Sequence, residues 1–180
     1  MAAMSRPARA EAVRRFAEGV PDFRPGGQFT LGAEEEALLV RRSGRLRRGG
    51  AERLVATAAG RPPATGTVVP EIFANQIELN TPVCVDGGSI AHSLGELRGS
   101  LREAGGRLIV VGVHPSAGFG AVQPVRSERY DPIVAEFRGL FRTPTSALQI
   151  HVGLPDAEAA IAAYRGLRNR LPVLRGLAAA

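Results

Sequence analysis

Between Phe29 and Val40 the chain reads FTLGAEEEALLV, with apolar and polar positions alternating at the period of a β-strand that buries one face. On that spacing Glu34 and Glu36 share one face, and Glu35 falls on the other with Leu31, Ala33, Ala37 and Leu39. The pattern returns twice. From Asn75 onward, Ile77 and Leu79 oppose Gln76, Glu78 and Asn80, and in SALQIHVGLPD, Leu148, Ile150 and Val152 oppose Ala147, Gln149 and His151. The run RLIVVGVHP predicts a buried strand ending at His114 and Pro115, and RRSGRLRR predicts a hairpin turn at Ser43 and Gly44 with a returning strand.

Helical spacing fills the intervals. It predicts helices over Ala8 to Glu18, Ala51 to Ala58, Ser89 to Ala104 and Asp131 to Leu140, and one after an Asp156 N-cap through AEAAIAAYRGLRNR. In the third of these, Ile90, Leu94, Leu97 and Leu101 form one apolar stripe that should pack behind the sheet, before a stop at Gly105 and Gly106. The prolines and glycines of VPDFRPGGQ mark a linker, so residues 1–27 are expected to be an N-terminal extension and 28–180 the body. The expected class is α+β, an antiparallel sheet with helices packed on one face.

Composition narrows the chemistry. A chain of 180 residues can bury ~70% of its unfolded surface without staples. There is no apolar run of ~18 residues to span a bilayer, no continuous apolar segment like that of a secretory signal, and one cysteine, Cys84. A cytoplasmic protein with no membrane partner is expected. All 23 basic residues are arginine. The absence of lysine excludes a Schiff-base lysine and a Walker A phosphate loop. Arg41, Arg42, Arg45, Arg47 and Arg48 crowd the hairpin within a net charge of +6. No aromatic residue is interleaved to stack on bases, which favours a solvated tip over nucleic-acid binding.

If the three alternating strands share one sheet, Glu34, Glu36, Glu78, Gln149 and His151 converge on its polar face. Neighbouring carboxylates raise one another's pKa unless a cation lies between them, so the face either holds a divalent ion or is simply solvated. Oxygen-rich ligation suits magnesium or manganese, and one cysteine cannot build a structural zinc site. A metal-dependent hydrolase would use the same groups. Glu71 precedes Glu78 by seven residues, which strict alternation assigns to the opposite face, so it joins only if the chain bends near Phe73 to Asn75. His92 is expected to be structural, and His114 either anchors a loop or edges the site. Glu35 is expected in a salt bridge or at a solvated bulge. The glycines of GGRLIVVGVHPSAGFG bracket a strand and do not make a dinucleotide fingerprint.

The runs GAEEEALLV, ANQIELNTPVC, VVGVHP, ERY and LQIHVGLPD, in this order from Phe29 onward, resemble the glutamate-cysteine ligase type 2 family of carboxylate-amine ligases. The resemblance implies a glutamine-synthetase-like catalytic fold whose concave sheet face binds ATP and magnesium. It implies phosphorylation of a carboxylate by ATP and displacement of phosphate by an amine, with small amino acids as substrates. By motif position Glu34, Glu36 and Glu78 match the family's metal-binding carboxylates, with Glu71 as a fourth. Gln149 and His151 fall at the nucleotide contact, and Arg129 in ERY is a candidate carboxylate or phosphate clamp. Two departures stand out. Gln149 replaces the first histidine of a His-x-His pair present in many relatives, and the chain stops within LPVLRGLAAA, where the family continues. The expectation is therefore a truncated catalytic domain, a gene fragment or half of a split ligase. It would have little activity alone, with a missing C-terminal half or a second copy as partner.

Overall fold

The computed structural model describes residues 24–59, 65–137 and 143–178. The helix expected at Ala8 to Glu18 lies outside them, as do residues 138–140, the expected end of the fourth helix. The described residues divide into two compact units, 29–152 in one and 24–28 with 153–178 in the other.

In the larger unit, strand β1 (Leu31–Leu39) is followed by helix α1 (Ala51–Ala59), strands β2 (Thr67–Pro70) and β3 (Gln76–Asn80), and helix α2 (Gly87–Glu103). Strand β4 (Leu108–Ile109), helix α3 (Asp131–Phe137) and strand β5 (Leu148–Val152) complete it. All pairings are antiparallel. β1 is central: one edge carries β3 and then β2, and the other is shared between β5 at Leu31–Glu35 and β4 at Leu38–Leu39.

The apolar alternation builds the core. Ala33, Ala37, Leu39, Ile77 and Leu79 point from β1 and β3 into one cluster with Leu54 and Ala58 of α1 and Ile90, Leu94, Leu97 and Leu101 of α2. Helix α2 begins two residues before the expected Ser89, because the Asp86 carboxylate caps it by accepting from the Ser89 N–H at 2.7 Å. It ends where Gly105, at φ +88°, donates to the Arg102 carbonyl and Gly106 to that of Leu101. Gly66, immediately before β2, has φ +110°, and a Cβ there would collide with the Asn80 carbonyl on the neighbouring strand.

Three expectations need correction. The buried strand predicted for RLIVVGVHP shrinks to the two residues of β4, with Val110 and Val113 exposed. The physical reason is competition for an edge, since β5 already occupies the same side of β1 over five residues. The returning strand of the arginine hairpin is a single bridge, Val40 to Leu46, closed by a turn with Gly44 at φ +78°. Finally, β5 pairs with β1, yet Leu148, Ile150 and Val152 are 56%, 54% and 50% exposed, because α1 and α2 pack mainly against β1, β2 and β3.

In the smaller unit, Asp156 caps helix α4 (Ala157–Arg168) by accepting from the Ala159 N–H at 2.7 Å. The helix stops at Asn169 and does not run to Arg170. A separate helix α5 (Leu171–Ala178) then starts with Pro172 in its first turn, where no N–H is required.

Candidate active site

Glu36 of β1 stands directly opposite Glu78 of β3. Because the Glu36 N–H points to the other edge, donating to the Ala147 carbonyl at 2.9 Å, the Glu36–Glu78 pair is of the non-hydrogen-bonded kind. In such pairs the Cα atoms approach to about 4.5 Å and the side chains are closest. Glu34 follows two residues earlier on the same face, opposite Asn80 on one side and Gln149 on the other. His151 is paired with Gly32, which has no side chain, and its imidazole reaches diagonally to Glu34, with Nε2 3.2 Å from Oε1. Glu35 is directed the opposite way, 1% exposed, and bound by Arg98 of α2 through both carboxylate oxygens.

Glu71 joins the cluster because residues 71–75 form the turn between two antiparallel strands. Its N–H donates to the Gln76 carbonyl at 3.0 Å, and its Oε2 accepts from the Tyr130 hydroxyl at 3.0 Å. The bend that alternation required is thus a full reversal. Tyr130 is the residue that sequence reasoning passed over, and Gln76, placed on the polar side of its strand, is one to which it gave no role. The ERY run drew attention to Arg129, but the tyrosine is the buried member and reaches the carboxylates. Arg129 is exposed and stacks on the Tyr130 ring with its guanidinium carbon 5.1 Å from the centroid.

Like Glu71, two further carboxylates have neutral partners. Glu36 Oε2 accepts from Gln76 Nε2 at 3.0 Å and from the Ala147 N–H at 3.0 Å, and Glu78 Oε1 accepts from Asn80 Nδ2 at 2.9 Å. These bonds do not offset the crowding at Glu36. Its pKa is raised, first by burial, opposed by the Ala147 N–H, and then by the charges of Glu71 and Glu78. The Tyr130 hydroxyl is pushed up to about 12 by burial and by Glu71, so it is protonated and donating throughout the neutral range.

Among the described residues, no three acidic, histidine or cysteine side chains stand close enough, as oriented, to share one ion. The donor set still fits a hard divalent cation. Four carboxylates share the face, and beside Glu36 the Oε1 of Gln76 is buried with no hydrogen-bond partner. An amide oxygen next to crowded carboxylates is a ligand type that a hard divalent cation, or a water bound to it, accepts.

His114, expected either to anchor a loop or to edge a site, does the first: its ring bonds the Gly44 carbonyl at 2.9 Å. His92 is exposed on α2. Cys84 is buried, bridging backbone to Leu31 and donating its thiol to the Pro82 carbonyl at 3.3 Å. No helix among the described residues is long and apolar enough to cross a membrane.

Comparison with known proteins gives this face a context. The model of glutamate-cysteine ligase family 2 matches residues 30–180. A Sorangium cellulosum protein named "Putative glutamate--cysteine ligase 2" is 34% identical over 84% of this chain and 42% of its own length. One from Rubrobacter xylanophilus, "Putative glutamate--cysteine ligase 2-1", is 30% identical over 88% of the chain and 43% of its length. The "Glutamate--cysteine ligase" of Halobacterium salinarum is 29% identical over 83% of the chain and 43% of its length. The chain thus spans less than half the length of these relatives.

Proposed function

Because the chain belongs to glutamate-cysteine ligase family 2, we propose that its carboxylate face is the metal- and nucleotide-binding part of an ATP-dependent carboxylate-amine ligase of the glutamate-cysteine type, on a glutamine-synthetase-like sheet. The observation that carries the reading is the convergence of Glu34, Glu36, Glu71 and Glu78 from β1, β3 and the turn between β2 and β3, with Glu36 held above its ordinary pKa first by burial and then by the charges of Glu71 and Glu78. Such crowding is costly in a bare protein and useful in one that binds cations.

The four glutamates would hold magnesium, or manganese in its place. When bound, the ion neutralises phosphate oxygens so that two anions, a carboxylate and a nucleotide phosphate, can meet in line. The protein's own part is positioning. Gln76, Asn80 and Tyr130 fix the carboxylates from behind, as outer-shell partners of metal ligands do. Gln149 and His151, on β5 beside Glu34, would contact the nucleotide, and Arg129 would clamp a carboxylate or phosphate oxygen of the reactants. Gln149 is a neutral amide where many relatives carry a titratable group, so this contact should be insensitive to pH at that position.

The test is a magnesium titration followed by calorimetry, with ATP added to the metal-loaded protein. Glu36→Gln and Glu78→Gln should each weaken magnesium binding, and with it the metal-dependent part of ATP binding. Magnesium affinity unchanged in both variants would overturn the site. Metal-dependent hydrolysis of amides or phosphate esters without ATP would replace the ligase reading with a hydrolase.

A further inference from the structure

We propose that the cleft between the Arg41–Arg48 hairpin and the 114–121 loop is a binding site for a small molecule carrying two or more phosphate groups. The cleft has a volume of about 470 Å³ and is lined by Arg41, Arg45 and Arg48 together with Ser43, His114 and Ser116. That size is ordinary for a small-molecule site, for which ~300–1,000 Å³ is usual. It has no residue in common with the carboxylate face and carries the opposite charge.

Charge pairing singles out these arginines. Arg98 and Arg126 are each engaged by a carboxylate, whereas among the described residues no acidic side chain lies within ion-pairing distance of Arg41, Arg45 or Arg48. Three unpaired guanidinium groups around a concavity repel one another, and the protein walls focus their field into the cleft. Phosphate relieves that repulsion best, since each guanidinium can present a two-pronged donor to its oxygens. The Ser43 and Ser116 hydroxyls add donors, one from each wall.

The two walls are fastened together. His114 is 6% exposed, and its Nδ1 accepts from the Ser116 N–H at 3.3 Å. The ring proton is therefore on Nε2, which donates to the Gly44 carbonyl at 2.9 Å. Gly44, at φ +78°, takes the left-handed turn in the hairpin whose carbonyl meets that proton. One buried imidazole thus holds the arginine hairpin against the opposing loop before any ligand arrives, which lowers the ordering cost of binding. The lining contains no Phe, Tyr or Trp, and its one imidazole, His114, is engaged in holding the two walls together, so the phosphates carry the recognition.

Isothermal titration of the full 180-residue protein with sodium tripolyphosphate tests this. Three proteins are compared: the unaltered chain, Arg41→Gln/Arg45→Gln/Arg48→Gln, and Arg53→Gln/Arg102→Gln/Arg175→Gln, which removes the same charge from exposed positions elsewhere. The unaltered chain and the second variant should bind alike, and the cleft variant should bind about tenfold or more weakly, as loss of charge-assisted hydrogen bonds requires. No binding by the unaltered chain, or equal weakening in both variants, would overturn the site. Duplex DNA that displaced tripolyphosphate at about 0.15 M salt would also overturn it, in favour of a nucleic-acid surface.

Discussion

The Tyr130 hydroxyl donates to Glu71 Oε2 at 3.0 Å, joining the ERY segment to the turn between β2 and β3 across 59 positions of sequence. A phenol pushed up to about 12 stays a donor wherever the carboxylate is charged. Tyr130→Phe removes that donor while keeping the ring on which Arg129 stacks. The expected result is a magnesium affinity lower by about tenfold, the usual effect of losing an outer-shell partner, with little change in fold. Absorbance titration of a Tyr164→Phe background should show the remaining phenol ionising near 12. Since the folded value is the higher one, the bond's contribution to stability is complete below pH ~10 and is lost as pH rises through the folded value.

Glu36 supplies the opposite sign from most carboxylates. Its folded pKa is raised, so the native state binds a proton more readily than the unfolded chain, and stability increases as pH falls from neutral toward the unfolded value of 4.5. Glu36→Gln should therefore raise the melting temperature of the metal-free protein at pH 7 and flatten its dependence on pH between about 4 and 7. Added magnesium should stabilise the unaltered chain more than the variant. A variant that melts lower at neutral pH without metal would show that the Gln76 and Ala147 hydrogen bonds outweigh the crowding.

Gly66 is fixed by geometry on both counts, a φ of +110° and the Asn80 carbonyl pressed against its missing side chain. Gly66→Ala should cost about 2 kcal/mol or more, read as a lower midpoint in urea unfolding. Gly99, on α2 with open space around it, should tolerate the same change or gain from it.

The period-two alternation identified β1, β3 and β5, and with them the shared face of Glu34, Glu36 and Glu78, because side-chain direction in a strand is a local property. What it could not show was competition between strands. β4 and β5 contend for one edge of β1, and the stronger apolar run, RLIVVGVHP, is the one left nearly unpaired. Glu71 was ambiguous for a related reason: a reversal at 71–75 and a continuous strand place it on opposite faces, and only pairing with β3 distinguishes them. Tyr130 was hidden by distance in sequence, since nothing local reveals that its hydroxyl finds a carboxylate 59 residues away. The Asp86 cap was missed by an expected start at Ser89, although DGGS places that acidic residue three positions before the Ser89 N–H.

Glu35 tests how the sheet tolerates a charge on its buried face. Arg98 binds it through Nε at 2.7 Å and through a second, shorter contact, and the carboxylate is 1% exposed while the arginine remains partly in water. Any of the 23 arginines could have been its partner from sequence alone; the placement of α2 behind β1 selects one. Arg98→Met strands a buried anion and should destabilise by about 3 kcal/mol. Glu35→Leu/Arg98→Met, which removes both charges and leaves apolar volume, should recover most of that loss, since the desolvation cost disappears together with the attraction. Denaturant unfolding of the single and double variants gives the comparison directly. If the double variant were as unstable as Arg98→Met, the pair would be required for strand register as well as charge balance, and magnesium binding by Glu34 and Glu36 on the other face should fall with it. If it recovers and magnesium binding is retained, the two faces of β1 are energetically separate, one maintained by packing and the other available for chemistry.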